Sequence, residues 1–208
     1  MEVTLVLGAF FLFSVSPALA ERIKDFQVDL KVHPDGLLQV VETINYDFEG
    51  AQRHGIFRRI PVQCSRAGHP YNLILNFHSI TDQFNQARPY TSRYLAGVEN
   101  VQIGDARKLV TGKQVYKISY DVRKAINFFG STPEVYWNCV GSEWPCPIDH
   151  VKVSLQAPDG MDCTKLKNTS FIGYFGSGSH ASAKAKTDAI VFTGAALHPG
   201  QDLSIVVD

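Results

Sequence analysis

From Phe26 onward the apolar residues recur at every second position: Phe26, Val28, Leu30 and Val32, then Leu38, Val40, Ile44, Tyr46 and Phe48. A period of two puts such side chains on one face of an extended chain, so the pattern predicts strands with one buried face and one wet face. Between the two runs, His33-Pro34-Asp35-Gly36 combines a proline-preset φ with a glycine free to take positive φ, which predicts a hairpin. The same period returns in Tyr71, Leu73, Leu75 and Phe77, in Tyr116, Ile118, Tyr120 and Val122, in Val151, Val153 and Leu155, and in Leu203, Ile205 and Val207. No segment carries a long helical period, and Thr111-Gly112-Lys113 breaks the stretch from Lys108 to Tyr120 as a turn. Many short strands with frequent turns predict an all-β fold: an antiparallel β-sandwich, immunoglobulin-like or related, with no long helix. The stretch from Asp159 to Lys186 reads as a strand followed by a long mobile loop.

Two charges break the alternation. Glu42 stands between Val40 and Ile44 on an apolar face, and Arg58 shares a face with Ile56, Ile60 and Val62. A lone buried charge is costly, so the two are expected to form a structural ion pair between neighbouring strands. Around Arg58, the run Arg53-His54-Gly55 and the following Arg59 place cations on a loop and a strand edge, a set able to seat an anion. Glu143-Trp144-Pro145, with Asn138 and Asn127, forms a second polar and aromatic set; Trp beside Glu in a loop can line a binding surface, although a core plug is the commoner role. The candidate binding residues are therefore Arg53, His54, Arg59, Glu143 and Trp144.

Catalytic patterns are missing. There is no Gly-x-Ser-x-Gly, no His-Glu-x-x-His, and the seven histidines are spread singly. No catalytic residue, metal site or cofactor is assigned.

The first twenty residues differ from the rest. Val3 to Val15 is uncharged and apolar, and Ser16-Pro17 precedes Ala18-Leu19-Ala20, small residues where a signal peptidase reads before Glu21. Residues 1–20 are expected to be a secretory signal peptide, and 21–208 a single extracytoplasmic β-sandwich domain. With 45% hydrophobic and 19% charged residues the chain is globular, and 20 basic against 20 acidic residues give no basic excess, so nucleic acid is not an expected partner. In an exported chain the four cysteines, Cys64, Cys139, Cys146 and Cys163, allow three complete disulfide pairings. A Cys139–Cys146 bond would close a short turn-like loop, removing about 2.5 kcal/mol of unfolded-state entropy; a Cys64–Cys163 bond would remove about 4.7 kcal/mol. The local bond is favoured, with the others left open.

Several segments, taken in order, carry a resemblance: Arg53-His54-Gly55-Ile56-Phe57-Arg58-Arg59-Ile60-Pro61-Val62, then Ile118-Ser119-Tyr120-Asp121-Val122, Asn127-Phe128-Phe129, Glu134-Val135-Tyr136-Trp137-Asn138, and Gly141-Ser142-Glu143-Trp144-Pro145 with Pro147-Ile148. Over nearly all of residues 21–208 the chain resembles the YciQ-like family of predicted bacterial membrane proteins, a domain of unknown function. The resemblance implies an N-terminal signal, an extracytoplasmic β domain, and membrane attachment through parts missing from this chain. Cys139 and Cys146 stand where the family pattern has Val, and a paired replacement fits a local disulfide. No activity or catalytic residue comes with the resemblance. The expected function is a binding or interaction module on the extracytoplasmic face of a bacterial membrane, for an unknown ligand or protein of the cell envelope. The alternatives are an envelope hydrolase using Glu143 and His54, or a purely structural domain.

Overall fold

The computed structural model describes residues 21–66, 69–129 and 132–208; the expected signal peptide lies outside the described residues. In chain order the strands are β1 (Arg22–Val32), β2 (Leu38–Asp47), β3 (Gly55–Pro61), β4 (Gln63–Arg66), β5 (His69–Asn72), β6 (Ile74–Thr81), β7 (Tyr90–Leu95), β8 (Val98–Gly104), β9 (Lys113–Arg123), β10 (Ile126–Phe129), β11 (Thr132–Asn138), β12 (Ile148–Gln156), β13 (Asn168–Gly173), β14 (Ser182–Ala185), β15 (Ile190–Gly194) and β16 (Asp202–Val207). Among the described residues the only helix is a 3₁₀ turn at Cys163–Lys165. The all-β expectation is met.

The strands form a seven-stranded sheet in the order β14-β15-β12-β1-β2-β9-β6, a four-stranded sheet β10-β11-β16-β13, a three-stranded sheet β3-β8-β7 and the β4–β5 hairpin. The first hairpin is as read, with Val32 opposite Leu38 and Gly36 at φ +81°. One pairing departs from an antiparallel sandwich: β1 runs parallel to β12, from Ile23 opposite Ile148 to Lys31 opposite Gln156. Part of the segment read as a mobile loop is strand β14, paired with β15 from Ser182 opposite Thr193 to Ala185 opposite Ile190.

Alternation decides which faces meet. Val28, Leu30, Val40, Ile44, Tyr116, Ile118 and Tyr120 are buried on one face of the large sheet, and Ile56, Ile60, Val101 and Ile103 are buried on the small one. Trp137 of the four-stranded sheet reaches the Tyr120 ring, with centroids 6.5 Å apart. One hydrophobic core therefore joins the three larger sheets.

Glu42 and Arg58 meet inside this core, both essentially without solvent exposure. Their strands are not neighbours: β2 lies in the seven-stranded sheet and β3 in the three-stranded one, so the pair spans the gap between facing sheets. Arg58 Nε donates to Glu42 Oε2 at 2.7 Å and Nη2 donates to Oε1 at 2.9 Å. Nη2 also reaches the Cys139 carbonyl at 3.2 Å, and Nη1 the Arg59 carbonyl at 2.6 Å. The Tyr120 hydroxyl completes the set, donating to Glu42 Oε1 at 2.7 Å. Each guanidinium nitrogen thus has an acceptor and each carboxylate oxygen a donor, the condition under which a buried pair is tolerated. Burial alone would lower the Arg58 pKa, yet the adjacent Glu42 carboxylate holds it above its ordinary value. Gly141 makes room at the rim of this network: it adopts φ +79°, and a Cβ there would stand 2.9 Å from Arg58 Nη1.

The expected Cys139–Cys146 bond is absent, and both thiols are free. The side chains serve different neighbourhoods: Cys139 Sγ faces the Trp137 carbonyl at 3.6 Å, whereas Cys146 Sγ faces the Tyr46 hydroxyl at 3.4 Å. The loop between them is closed instead by the Trp144 indole, whose Nε1 donates to the Val140 carbonyl at 3.0 Å. Cys163 is also buried and free.

Four outcomes are expected. Replacing Arg58 by Ala strands the Glu42 carboxylate and should cost about 3 to 5 kcal/mol in urea unfolding; a loss below about 0.5 kcal/mol, the size of a surface substitution, would contradict the buried pair. Joint replacement of Glu42, Arg58 and Tyr120 by Leu, Met and Phe should recover part of that loss, because the two charges and the hydroxyl leave together and only the Cys139 and Arg59 carbonyls lose a donor. Burial raises the Cys139 thiol well above its ordinary pKa, so iodoacetamide at mildly alkaline pH should leave Cys139 unmodified in the folded chain. After unfolding without reductant, mass spectrometry should find both Cys139 and Cys146 alkylated; a pair that stays unmodified and lacks two hydrogens would be a disulfide.

Candidate functional site

Four of the five residues selected from sequence converge. Arg53, Arg59, Glu143 and Trp144 line one open cleft of about 310 Å³, together with Glu21, Tyr46 and Phe57. Arg53 comes from the loop after β2, where its backbone N–H and carbonyl are both bonded to Val110. Arg59 comes from β3, whose alternation buries Ile56, Arg58 and Ile60 and turns Phe57 and Arg59 outward. Glu143 and Trp144 come from the loop between β11 and β12.

Charges of both signs ring the cleft as pairs. Arg59 is bonded to Glu143, and Arg53 to Glu21, which also accepts from the Tyr46 hydroxyl at 2.8 Å. Burial pushes the Tyr46 hydroxyl well above its usual pKa, so it remains a donor to that carboxylate. Arg59 and Glu143 are largely solvated, and such pairs contribute about 0 to 1 kcal/mol. The inner wall is fixed by contrast. Trp144 is buried, stacked edge-on against Phe26 with centroids 5.6 Å apart, so it acts chiefly as the core plug and shows only its rim to the cleft. Phe57 is 58% exposed and gives the outer wall an apolar face.

His54 does not join this set. It lines a separate cleft of about 130 Å³ with Arg88, Lys108 and Tyr116, and its Nδ1 lies 3.0 Å from the Lys108 carbonyl. The setting is local: Gly55 and Gly104 face each other across β3 and β8 at φ +139° and +143°, and a Cβ would fall 1.8 Å from the Ile103 carbonyl oxygen on Gly55 and 1.8 Å from the His54 carbonyl oxygen on Gly104. Only glycine permits this approach, and it presses the His54 carbonyl against β8. His54 and Glu143 therefore line different clefts, and the acid–base pair of the hydrolase alternative is not assembled.

Glu21, Tyr46 and Phe57 were not selected from sequence. The alternation that turns Arg59 outward also turns Phe57 outward, a usable signal; for Glu21 and Tyr46 the sequence holds no signal, since their meeting with Arg53 depends on how β1 and β2 end beside the loop. Among the described residues no group of three or more His, Cys, Asp or Glu side chains could hold a metal ion. A wider, mainly apolar groove of about 550 Å³ lies at the far end of β1, around Val32, Val135, Leu155, Met161 and Val207, and none of the selected residues reaches it.

The fold is shared with proteins of unrelated sequence. A yeast leukotriene A4 hydrolase in complex with bestatin is similar over 94% of this chain and 31% of its own, with a TM-score of 0.55 and 10% identity. The native enzyme from Saccharomyces cerevisiae is similar over 93% of this chain and 31% of its own, with a TM-score of 0.54 and 10% identity. At this identity the likeness is one of fold alone. A sequence relative is the uncharacterized protein YciQ of Escherichia coli (strain K12), 27% identical in an alignment of 164 positions that covers 74% of this chain and 26% of that protein. This chain therefore spans about a quarter of that relative's length. Among the described residues no helix is long and apolar enough to cross a membrane. Residues 22–208 match the family described as the N-terminal domain of a predicted membrane protein (DUF2207), and the chain belongs to that family.

Proposed function

We propose that residues 21–208 are the extracytoplasmic binding module of a membrane-attached bacterial envelope protein, and that the cleft ringed by Arg53, Arg59, Glu143 and Trp144 takes a short peptide-like ligand. The observation carrying this reading is the convergence of those four side chains, from one strand and two separate loops, on a single cleft. Family membership supports the membrane context, and the apolar run ending in Ala18-Leu19-Ala20 supports export.

The chemistry favours a ligand with charges of both signs and an apolar part. A ligand carboxylate exchanges with Glu143 for the Arg59 guanidinium, and a ligand ammonium exchanges with Arg53 for Glu21. The solvated Arg59–Glu143 pair resists such exchange weakly, while Phe57 and Trp144 offer apolar contact between the two ends. Cleavage after Ala20 makes Glu21 the first residue, which brings a new α-amino group to the same cleft.

The test uses the dipeptide Ala-Phe as probe, followed by calorimetry or by amide chemical shifts of the full chain. Saturable binding is expected, at least tenfold weaker in Arg59→Ala and in Arg53→Ala, with unfolding midpoints close to that of the parent because both side chains are solvated. Absence of saturable binding, or affinity unchanged in both variants, overturns the proposal.

A further inference from the structure

The charged cleft runs along a strand edge. In the order β3-β8-β7, β3 is an outer strand, and its side away from β8 has no neighbouring strand. Gly55, Ile56, Phe57 and Arg59 of β3 line the cleft, and the remaining lining comes from the Glu143 loop, Arg53, Tyr46 and Glu21, with no residue of β8.

The antiparallel ladder decides which backbone groups meet that edge. Each residue turns its N–H and its C=O together, either toward the partner strand or away from it, and successive residues alternate. Three observations set the phase on β3. Gly104 N donates to the Pro89 carbonyl at 2.8 Å, so Gly104 faces β7 and Gly55, opposite it, turns away from β8. At the other end Val62 N donates to the Gly97 carbonyl at 2.9 Å, so Val62 faces the β7–β8 hairpin and Pro61, which has no N–H to give, turns away. Phe57 and Arg59 share the phase of Gly55 and Pro61. The Arg59 carbonyl agrees, since it accepts from Arg58 Nη1 at 2.6 Å rather than from β8. The Phe57 N–H, the Phe57 carbonyl and the Arg59 N–H remain, with no hydrogen-bond partner among the described residues. Both residues are exposed.

An acceptor at Phe57 and a donor at Arg59 are the two groups that flank one residue of a parallel partner strand. An antiparallel partner would pair with both groups of Phe57 and next require the Arg59 carbonyl, which Arg58 already occupies. Charge gives the same direction. The Arg59 guanidinium, toward the C-terminal end of β3, suits a carboxylate, and Glu21, bonded to Arg53 ahead of β3, suits an ammonium.

We infer, building on the peptide reading of this cleft, that its ligand is an extended peptide of at least three residues that adds to β3 as a parallel strand. An interior residue donates its N–H to the Phe57 carbonyl and accepts from the Arg59 N–H, while the terminal ammonium and carboxylate meet Glu21 and the Arg59 guanidinium. A dipeptide has no residue carrying both an amide N–H and an amide carbonyl, so this pairing selects for length. Main-chain bonds supply the affinity, and side-chain preference is confined to contacts with Phe57 and Trp144.

The experiment compares four probes on the full chain by calorimetry: Ala-Phe, Ala-Ala-Phe, and Ala-Ala-Phe methylated on the amide nitrogen of residue 2 or of residue 3. Amide hydrogen exchange of the ¹⁵N-labelled chain is followed alongside. Ala-Ala-Phe should bind at least tenfold more tightly than Ala-Phe. Methylation at residue 2 removes the donor to Phe57 and should cancel that gain; methylation at residue 3, whose N–H points away from β3, should leave it intact. Saturating Ala-Ala-Phe should slow exchange of the Arg59 amide at least tenfold and leave the Phe57 amide unchanged. Saturable binding that weakens in Arg59→Ala, but with equal affinity for both methylated isomers and an unprotected Arg59 amide, overturns the strand pairing while the charged cleft stands as a peptide site. Protection of the Phe57 amide in place of Arg59 overturns the parallel direction. Absence of saturable binding by every probe overturns the peptide reading, and this inference with it.

Discussion

The Arg58 guanidinium, enclosed in the core, is the constraint on which the rest of the structure depends. It originates in the three-stranded sheet, is gripped by Glu42 of the seven-stranded sheet, and reaches the Cys139 carbonyl just beyond the last residue of β11 in the four-stranded sheet. One side chain thus touches all three layers. A strand has two faces, and slipping it by one residue exchanges them completely. For β3 such a slip would expose Arg58 and bury Phe57 and Arg59, leaving Glu42 and the Tyr120 hydroxyl without a cation in the core. The pair contributes little net stability over a well-packed apolar core, but it makes wrong registers costly. Register is what the cleft requires, because Arg59 reaches Glu143 only while Arg58 points inward.

Legibility in the sequence follows from the same geometry. The period of two assigns each residue to a face, so the strands, the hairpin at His33-Pro34-Asp35-Gly36, and the oddity of Glu42 and Arg58 on apolar faces are all readable. Periodicity carries nothing about which strands or sheets adjoin. The sequence reading sets the two charges on neighbouring strands, whereas they meet across the core, and the parallel pairing of β1 with β12 is invisible because a parallel strand has the same alternation as an antiparallel one. Strand β14 escaped for a different reason: all four of its residues are exposed, so it has no buried face to generate a pattern. The disulfide failed because proximity along the chain fixes neither sulfur's direction, and the Trp144 indole closes that loop in its place.

At the candidate site the sequence supplied chemistry and the fold decided grouping. Arg53, Arg59, Glu143 and Trp144 stand out as charged or aromatic residues in loops and on a strand edge, and they assemble as one cleft. His54 stands out on the same grounds and lies elsewhere, since the close crossing of Gly55 and Gly104 sets its carbonyl against β8. The two asparagines grouped with Glu143 in the sequence lie on β10 and β11 instead, Asn127 opposite Glu134 by cross-strand register and Asn138 on the same face as Tyr136 by alternation.

The contrast between buried and solvated ion pairs gives the site its logic. Glu42 and Arg58 exclude water and satisfy each other's hydrogen-bonding capacity, so opening that pair means unfolding. Arg59 and Glu143 are matched only in charge; both remain solvated, and their mutual attraction is screened. Adjacent residues on one strand therefore carry guanidinium groups in opposite settings, Arg58 enclosed in the core and Arg59 solvated at the cleft. A binding surface needs both properties in close proximity, because a ligand can displace a rim pair at little cost only if the wall behind it does not move. The alternation of β3 sets the two side by side in successive residues, with the enclosed guanidinium facing the core and the solvated one facing the cleft, as the proposed binding role requires.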